Sequence, residues 1–278
     1  MTADVFFMDL NATSKENLPD KLARLIQKAG IKNILKKEDL TAIKIHFGEQ
    51  GNTAYIRPVF IRKIIEVAKQ CGGSPFLTDA NTLYVGTRSN AVSHIHTAIE
   101  NGFSYSSMAG TPIVIADGLT GKCETPVAVN QKNCDQVYIG AEIIEADALI
   151  SVAHFKGHEL SGFGGTLKNV GMGSASRRGK LDQHSNVSPK IKRKSCIGCG
   201  ECARHCPGEA IFLEEKKAYI DAKKCIGCAE CIVRCPTASI SVNWNQTVPV
   251  FLEKMMEYTL GVLKDKQDKS FFINFITD

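Results

Sequence analysis

The chain has 278 residues, 44% hydrophobic and 23% charged, with a formal net charge of +5. That is ordinary globular make-up, enough for one large or two medium domains; no apolar run approaches the length needed to cross a bilayer. The charge is too thinly spread to argue for nucleic acid by itself, and MTADVFFMDL lacks the basic opening and long apolar core of a signal peptide.

In chain order, Val5–Met8 reads as a short strand, and Ser14 as the N-cap of a helix carrying Leu18, Leu22, Leu25, Ile26 and Ala29 on one face and ending at Gly30. Leu40–Phe47 reads as a strand, with Ala42, Lys44 and His46 on one face and Ile43, Ile45 and Phe47 on the other. After the loop Gly48–Asn52, Pro58 opens a helix that runs to Gln70 and stops at Gly72-Gly73. Pro75–Ala80 is a strand, Ser89–Asn101 a helix closed by Gly102, Pro112–Asp117 a strand and Leu149–His154 another. Ser174–Pro189 is polar and reads as a loop. Val250–Leu263 is an amphipathic helix, and Ser270–Thr277 a strand rich in β-formers. Alternating strands and helices predict an α/β fold with a mainly parallel sheet and flanking helices. Ligands of such sheets gather at the carboxyl ends of strands, a rule that selects His46, Asp79, Asp117 and His154.

The strongest signal is a repeat. CIGCGECARHCPGEAI, from Cys196, aligns with CIGCAECIVRCPTASI, from Cys225, at a shift of 29 residues (225 minus 196). Each copy has the spacing C-x2-C-x2-C-x3-C-P, the run of two-cluster bacterial ferredoxins, in which the fourth cysteine of each run serves the other cluster. The expected sets are therefore Cys196, Cys199, Cys202 and Cys235 for one [4Fe–4S] cluster, and Cys225, Cys228, Cys231 and Cys206 for the other. Gly198 and Gly227 bring loop amides to sulfur; Ile197, Ile226, Ile211 and Ile240 supply apolar cover. Zinc is the bland alternative, but its sites take four ligands as two pairs rather than two close triplets plus a Cys-Pro. Cys71, Cys123 and Cys134 are scattered and read as ordinary reduced thiols. The cysteine usage places the chain in a reducing cytoplasm, in a cell living with little oxygen. Residues 190–244 form the expected small α+β ferredoxin domain, inserted between 1–189 and 245–278 of the α/β domain.

A second constellation precedes the cysteines. His154, Lys156 and His158 fall at period two, so an extended backbone points them the same way. Five glycines follow from Gly162 to Gly173, around Thr166-Leu-Lys-Asn. Gly162, Gly164, Gly165 and Asn169 are the expected lining of an anion nest, with Lys168 reaching back; the GxxxxGK[ST] order of a P-loop is absent. With Lys44 and His46 they make a centre for a metal or an anionic ligand, histidines acting as ligands or proton donors. The plainer readings are a tight packing turn at Gly162–Gly173 and, for Lys44 and His46, an edge strand with a solvated face. His94 and His96 lie two apart on a helix and share no face, and His184 sits in the loop before the cysteines. Arg177, Arg178, Lys180, Lys190, Lys192, Arg193 and Lys194 read as a solvated linker or, more sharply, as a docking patch for an acidic electron carrier. The stretch has no aromatic residue to stack bases, which counts against nucleic acid.

The run HFKGHELSGFGGTLKNVGMGSASRRGKLDQHS followed by the doubled cysteine motif resembles the DUF362 family of iron–sulfur proteins. The resemblance extends from Lys44-Ile-His46 through Asp79 to the end. It implies a ferredoxin unit placed late within an α/β domain but no particular reaction. Chains of the family usually continue past the strand matching Phe271–Thr277, so a shortened chain or a fragment is expected from the stop at Asp278.

Three functions compete. In the first, two clusters relay single electrons from a soluble ferredoxin- or flavodoxin-like carrier to a small-molecule substrate held by Lys44, His46, His154, Lys156, His158 and Lys168. The second is an electron carrier or adaptor without chemistry of its own. The third is a non-redox binding protein whose clusters are structural or sense oxygen. Dinucleotide, c-type haem and G-x-S-x-G signatures are absent.

Overall fold

A computed structural model describes residues 4–158, 161–184, 188–243 and 247–277. Three expectations touch other residues: the domain boundary at 244–245, positions 185–187 of the 174–189 loop, and the chain end at Asp278.

The frame is a five-stranded sheet, all parallel, in the order Ser270–Phe275, Ala148–His154, Leu40–Lys44, Ser74–Asp79, Ile113–Ile115. Ile43, Ile45, Ile150, Val152, Ile273 and Phe275 pack one face against helices Leu18–Lys28 and Pro58–Gln70 through Leu22, Ile26, Ile61, Ile64 and Ile65. On the other face Ala42 and Leu149 meet Val170, Tyr258 and Val262, from helices Thr166–Gly171 and Val248–Leu263, and Val137 and Ile139. A strand buried on both faces reads as nearly continuously apolar, and Ala148–Ala153 does so apart from the buried Ser151.

The chain begins the sheet at Leu40–Lys44, builds outward through two strands, then returns to lay Ala148–His154 on the other side of the first. The strand order therefore reverses between Leu40–Lys44 and Ala148–His154, the place where parallel sheets open a crevice at their carboxyl ends. The cysteine-bearing segment follows, as two short antiparallel ribbons, Lys190–Ile191 with Ile240–Ser241 and Ile211–Glu214 with Lys217–Ile220, and two short helices, Glu201–Arg204 and Glu230–Arg234. Strand Ser270–Phe275 then rejoins the main sheet. No helix among the described residues is long and apolar enough to cross a membrane.

Several expectations are corrected. Val5–Met8 is no strand; Val5 and Phe7 lie in solvent. The first helix is capped by Asn17, whose side chain accepts from the Asp20 amide at 2.9 Å, not by Ser14. Leu40–Lys44 is the middle strand, so Lys44 is not on a solvated edge. Arg177–His184 is a helix, not a loop, and it buries Arg177, Lys180 and Gln183. Arg177 donates to Glu230, Lys180 to the Ala175 carbonyl and Gln183 Nε2 to the Gly171 carbonyl, while Gln183 Oε1 has no partner among the described residues. The antiparallel ribbon Glu124–Ala128 and Gln136–Gly140 had no sequence signal strong enough to be read.

Candidate functional site

A cavity of about 550 Å³ opens at the switch point, within the range of small-molecule sites. Lys44, His46, His154, Lys156, His158, Lys168, Gly164, Gly165 and Asn169 all line it. Gly162 does not: it lies at the start of the second strand of the hairpin Lys156–His158/Gly162–Gly164, with a φ of +71°, and serves the turn. Asp79 lines the cavity as the strand-end rule selects; Asp117 stands outside, buried and bonded to Asn81.

One end of the cavity is a self-contained charge network. Lys44, 1% exposed, sits 2.8 Å from Asp79 and donates to the Ile45 carbonyl and to Asn169 Oδ1 at 3.2 and 3.0 Å. Asn169 in turn donates to the Lys44 carbonyl and Ser151 Oγ, so it is committed to the sheet rather than free for a nest. Gly173 is required here, since a Cβ would stand 2.7 Å from Lys44 Nζ and 2.3 Å from the Asn169 carbonyl. Arg88 reaches Asp79 at 3.2 Å, and its other nitrogen bonds Glu49 and, at 3.0 Å, the Tyr84 hydroxyl. Buried His94 stands 3.7 Å from Asp79. Burial alone would raise the Asp79 carboxyl, but Lys44, His94 and Arg88 outweigh it and hold it well below the usual range.

The histidines sit along the wall. His46 accepts the Gly48 amide on Nδ1 at 3.0 Å, so a neutral ring carries its proton on Nε2. Its ring is wetted from the cavity and walled by protein elsewhere; that burial, with Arg88 and Lys44 nearby, brings it down to about 3, and it is neutral at pH 7. His154 Nε2 meets the Thr277 carbonyl at 2.7 Å, while its Nδ1 is buried without a partner among the described residues. His158 Nδ1 accepts the Ser161 amide at 3.2 Å. His184 stacks on Phe251, and burial brings it down to about 4.

Arg88, Tyr84 and Lys180 are polar lining residues that sequence reasoning missed, and Tyr55, Leu83, Met172 and Phe251 are apolar ones. Tyr84 and Arg88 lie in an irregular segment with no periodicity, and Lys180 on a helix too polar to signal burial. His94 shares no helix face with His96; it faces instead the strand end that carries Asp79.

The eight repeat cysteines line two further cavities, one bounded by Cys196, Cys199, Cys202 and Cys235, the other by Cys206, Cys225, Cys228 and Cys231. Matching amides point at matching sulfurs: Ala210 N–H to Cys206 at 3.3 Å, Ser239 N–H to Cys235 at 3.2 Å. Burial raises Cys231, Cys228 and Cys202; at Cys235 burial is outweighed by hydrogen bonds from Thr237, Ser239 and Ile240, and the thiol is lowered. Gly198 and Gly227 take φ of +70° and +72°, and a Cβ on Gly198 would lie 2.3 Å from the Lys216 carbonyl. Ile211 and Ile240 are buried, whereas Ile197 and Ile226 are 64% and 50% exposed, so they roof the cavities from outside. All eleven cysteines are free thiols.

The two regions touch. Leu83 of the large cavity packs in the same apolar cluster as Leu181, Cys202 and Cys231. Arg177 and Glu230, each 1% exposed and 2.9 Å apart, pin the helix of Cys231 to the α/β body, where Arg177 also bonds the Thr82 and Ser89 carbonyls.

A family model described as a domain of unknown function, DUF362, matches residues 41–278, and the chain belongs to this family. No curated protein matches it. Among solved structures it is similar to the lactate racemase apoprotein from Thermoanaerobacterium thermosaccharolyticum, at 12% identity and a TM-score of 0.38, over 83% of this chain and 44% of that one. The chain thus spans less than half of that protein's length, and a likeness of that score is no guide to fold or function.

Proposed function

We propose that this is an iron–sulfur protein in which Cys196, Cys199, Cys202 and Cys235 hold one [4Fe–4S] cluster and Cys206, Cys225, Cys228 and Cys231 hold a second, serving a small-molecule substrate in the carboxyl-edge cavity. The crossed partition carries the reading: each cavity is lined by three thiols from one half of the repeat and one from the other. Thiols set around a cavity suit a four-iron cluster better than zinc. Bound there, two such clusters supply reversible one-electron steps.

The chain's own residues divide the remaining tasks. The amides of Ala210 and Ser239 donate to the sulfurs of Cys206 and Cys235 and help to orient them. Cys199 and Ile197 are exposed, a face for a soluble electron carrier such as a ferredoxin or flavodoxin. Leu83 and Leu181 bring the cysteine core to the cavity wall. There His46 offers a proton from Nε2, and Asp79 fixes Lys44 and Arg88. The ferredoxin-like insertion within the α/β body belongs to the same proposal.

Electron paramagnetic resonance of the reduced protein tests the crossing. Cys235→Ser is expected to alter the same cluster signal as Cys199→Ser, and Cys206→Ser the same signal as Cys228→Ser. Pairing of Cys235→Ser with Cys228→Ser would overturn the assignment.

A further inference from the structure

We infer that the cavity seats an organic oxyanion on Lys156 and Lys168, with its carbon body against Tyr55, Leu83, Met172 and Phe251; this rests on the cavity being the substrate site. The argument begins with which cations are already spent. Lys44 is held by Asp79 and Asn169, Arg88 by Asp79, Glu49 and Tyr84, and Lys180 by the Ala175 carbonyl. Lys156 and Lys168 also line the cavity, yet the ammonium group of neither has an ion-pair or hydrogen-bond partner among the described residues.

The fold nonetheless brings these two together. Lys156 pairs with Gly164 across the hairpin, and the Lys168 side chain folds back over Gly164, its Cδ 3.5 Å from where a Cβ would be. Two like charges held side by side, one of them half-buried, are unfavourable unless an anion joins them. Burial and Lys156 together bring Lys168 down to about 8, the direction expected of an ammonium with no counter-charge. Lysine suits an oxyanion as a point charge with three donors, whether the group is a phosphate or a carboxylate. Tyr55, Leu83, Met172 and Phe251 in the same wall leave a bare inorganic ion with surface it cannot cover.

The test is calorimetric titration of the protein, isolated without oxygen, with phenyl phosphate, benzoate and inorganic phosphate. At least one of the two aromatic anions is expected to bind one to one and about tenfold more tightly than inorganic phosphate. Lys156→Gln and Lys168→Gln should each weaken that binding by about tenfold, while Lys168→Arg retains it. The phenyl phosphate and benzoate arms distinguish the two headgroups. Absence of binding by all three anions, or equal binding by the Lys156→Gln/Lys168→Gln double variant, would overturn the seat. Iron is counted on the same samples: a protein without iron that still binds the anion removes the cluster reading and keeps the seat, and the reverse result removes the seat alone.

Discussion

The two ends of the large cavity treat charge in opposite ways. Around Asp79 the protein compensates its own buried ions: Lys44 and Arg88 share one carboxylate, and Glu49 completes the chain. At the hairpin, the Lys156 and Lys168 side chains stand together with no counter-charge among the described residues. The first arrangement is what a fold does to survive a buried charge. The second is the arrangement that the inferred oxyanion would complete. Under the proposed function the cysteine repeats belong with the second kind: eight thiols are gathered around two cavities.

Substitutions should separate the two ends. Asp79→Ala strips the counter-ion from two buried cations, and removal of one partner from a buried pair costs about 3–5 kcal/mol, a fall in melting temperature of roughly 10 °C. A loss under about 1 kcal/mol would mean that Lys44 and Arg88 are not held as described. Lys156→Gln and Lys168→Gln should instead stay within about 0.5 kcal/mol of the parent, because they remove charges that stabilise nothing in the free protein.

Acid sharpens the contrast less strongly. His46 takes its proton at about 6.5 when unfolded and about 3 when folded, and His184 falls to about 4. Between those values the unfolded chain binds more protons, so stability drops as pH falls from about 6.5 toward 3. Asp79 acts further into acid: its contribution is present above the ordinary value of 3.8 and is lost as pH falls through its lower folded value. Melting temperatures at pH 7 and pH 4.5 should therefore differ less in a His46→Gln/His184→Gln variant than in the parent; an identical difference would contradict the desolvation of these rings in the folded chain.

How much of this was legible follows from how local each feature is. The cysteines lie in two copies of one short repeat, and the two-cluster ferredoxin pattern groups them as the two cavities do. His46, Asp79 and His154 were legible because a parallel sheet aligns strand ends, and Lys156 and His158 because an extended chain has period two. Arg88 and Lys180 were not, since each reaches the cavity from a segment whose own pattern says surface. The helix Arg177–His184 is hydrophilic throughout, and only its partners in other elements, Glu230 above all, explain its burial. Gly162 misled for the opposite reason, a glycine placed for its own turn beside two that face the cavity.

The central claim is the pair of clusters, and the direct measurement is the metal content of protein isolated without oxygen. Two four-iron clusters require about eight iron atoms and about eight acid-labile sulfides per chain, with no stoichiometric zinc. Iron near four would leave one cysteine set without its cluster. Stoichiometric zinc with little iron would contradict the account and return the repeats to a structural role.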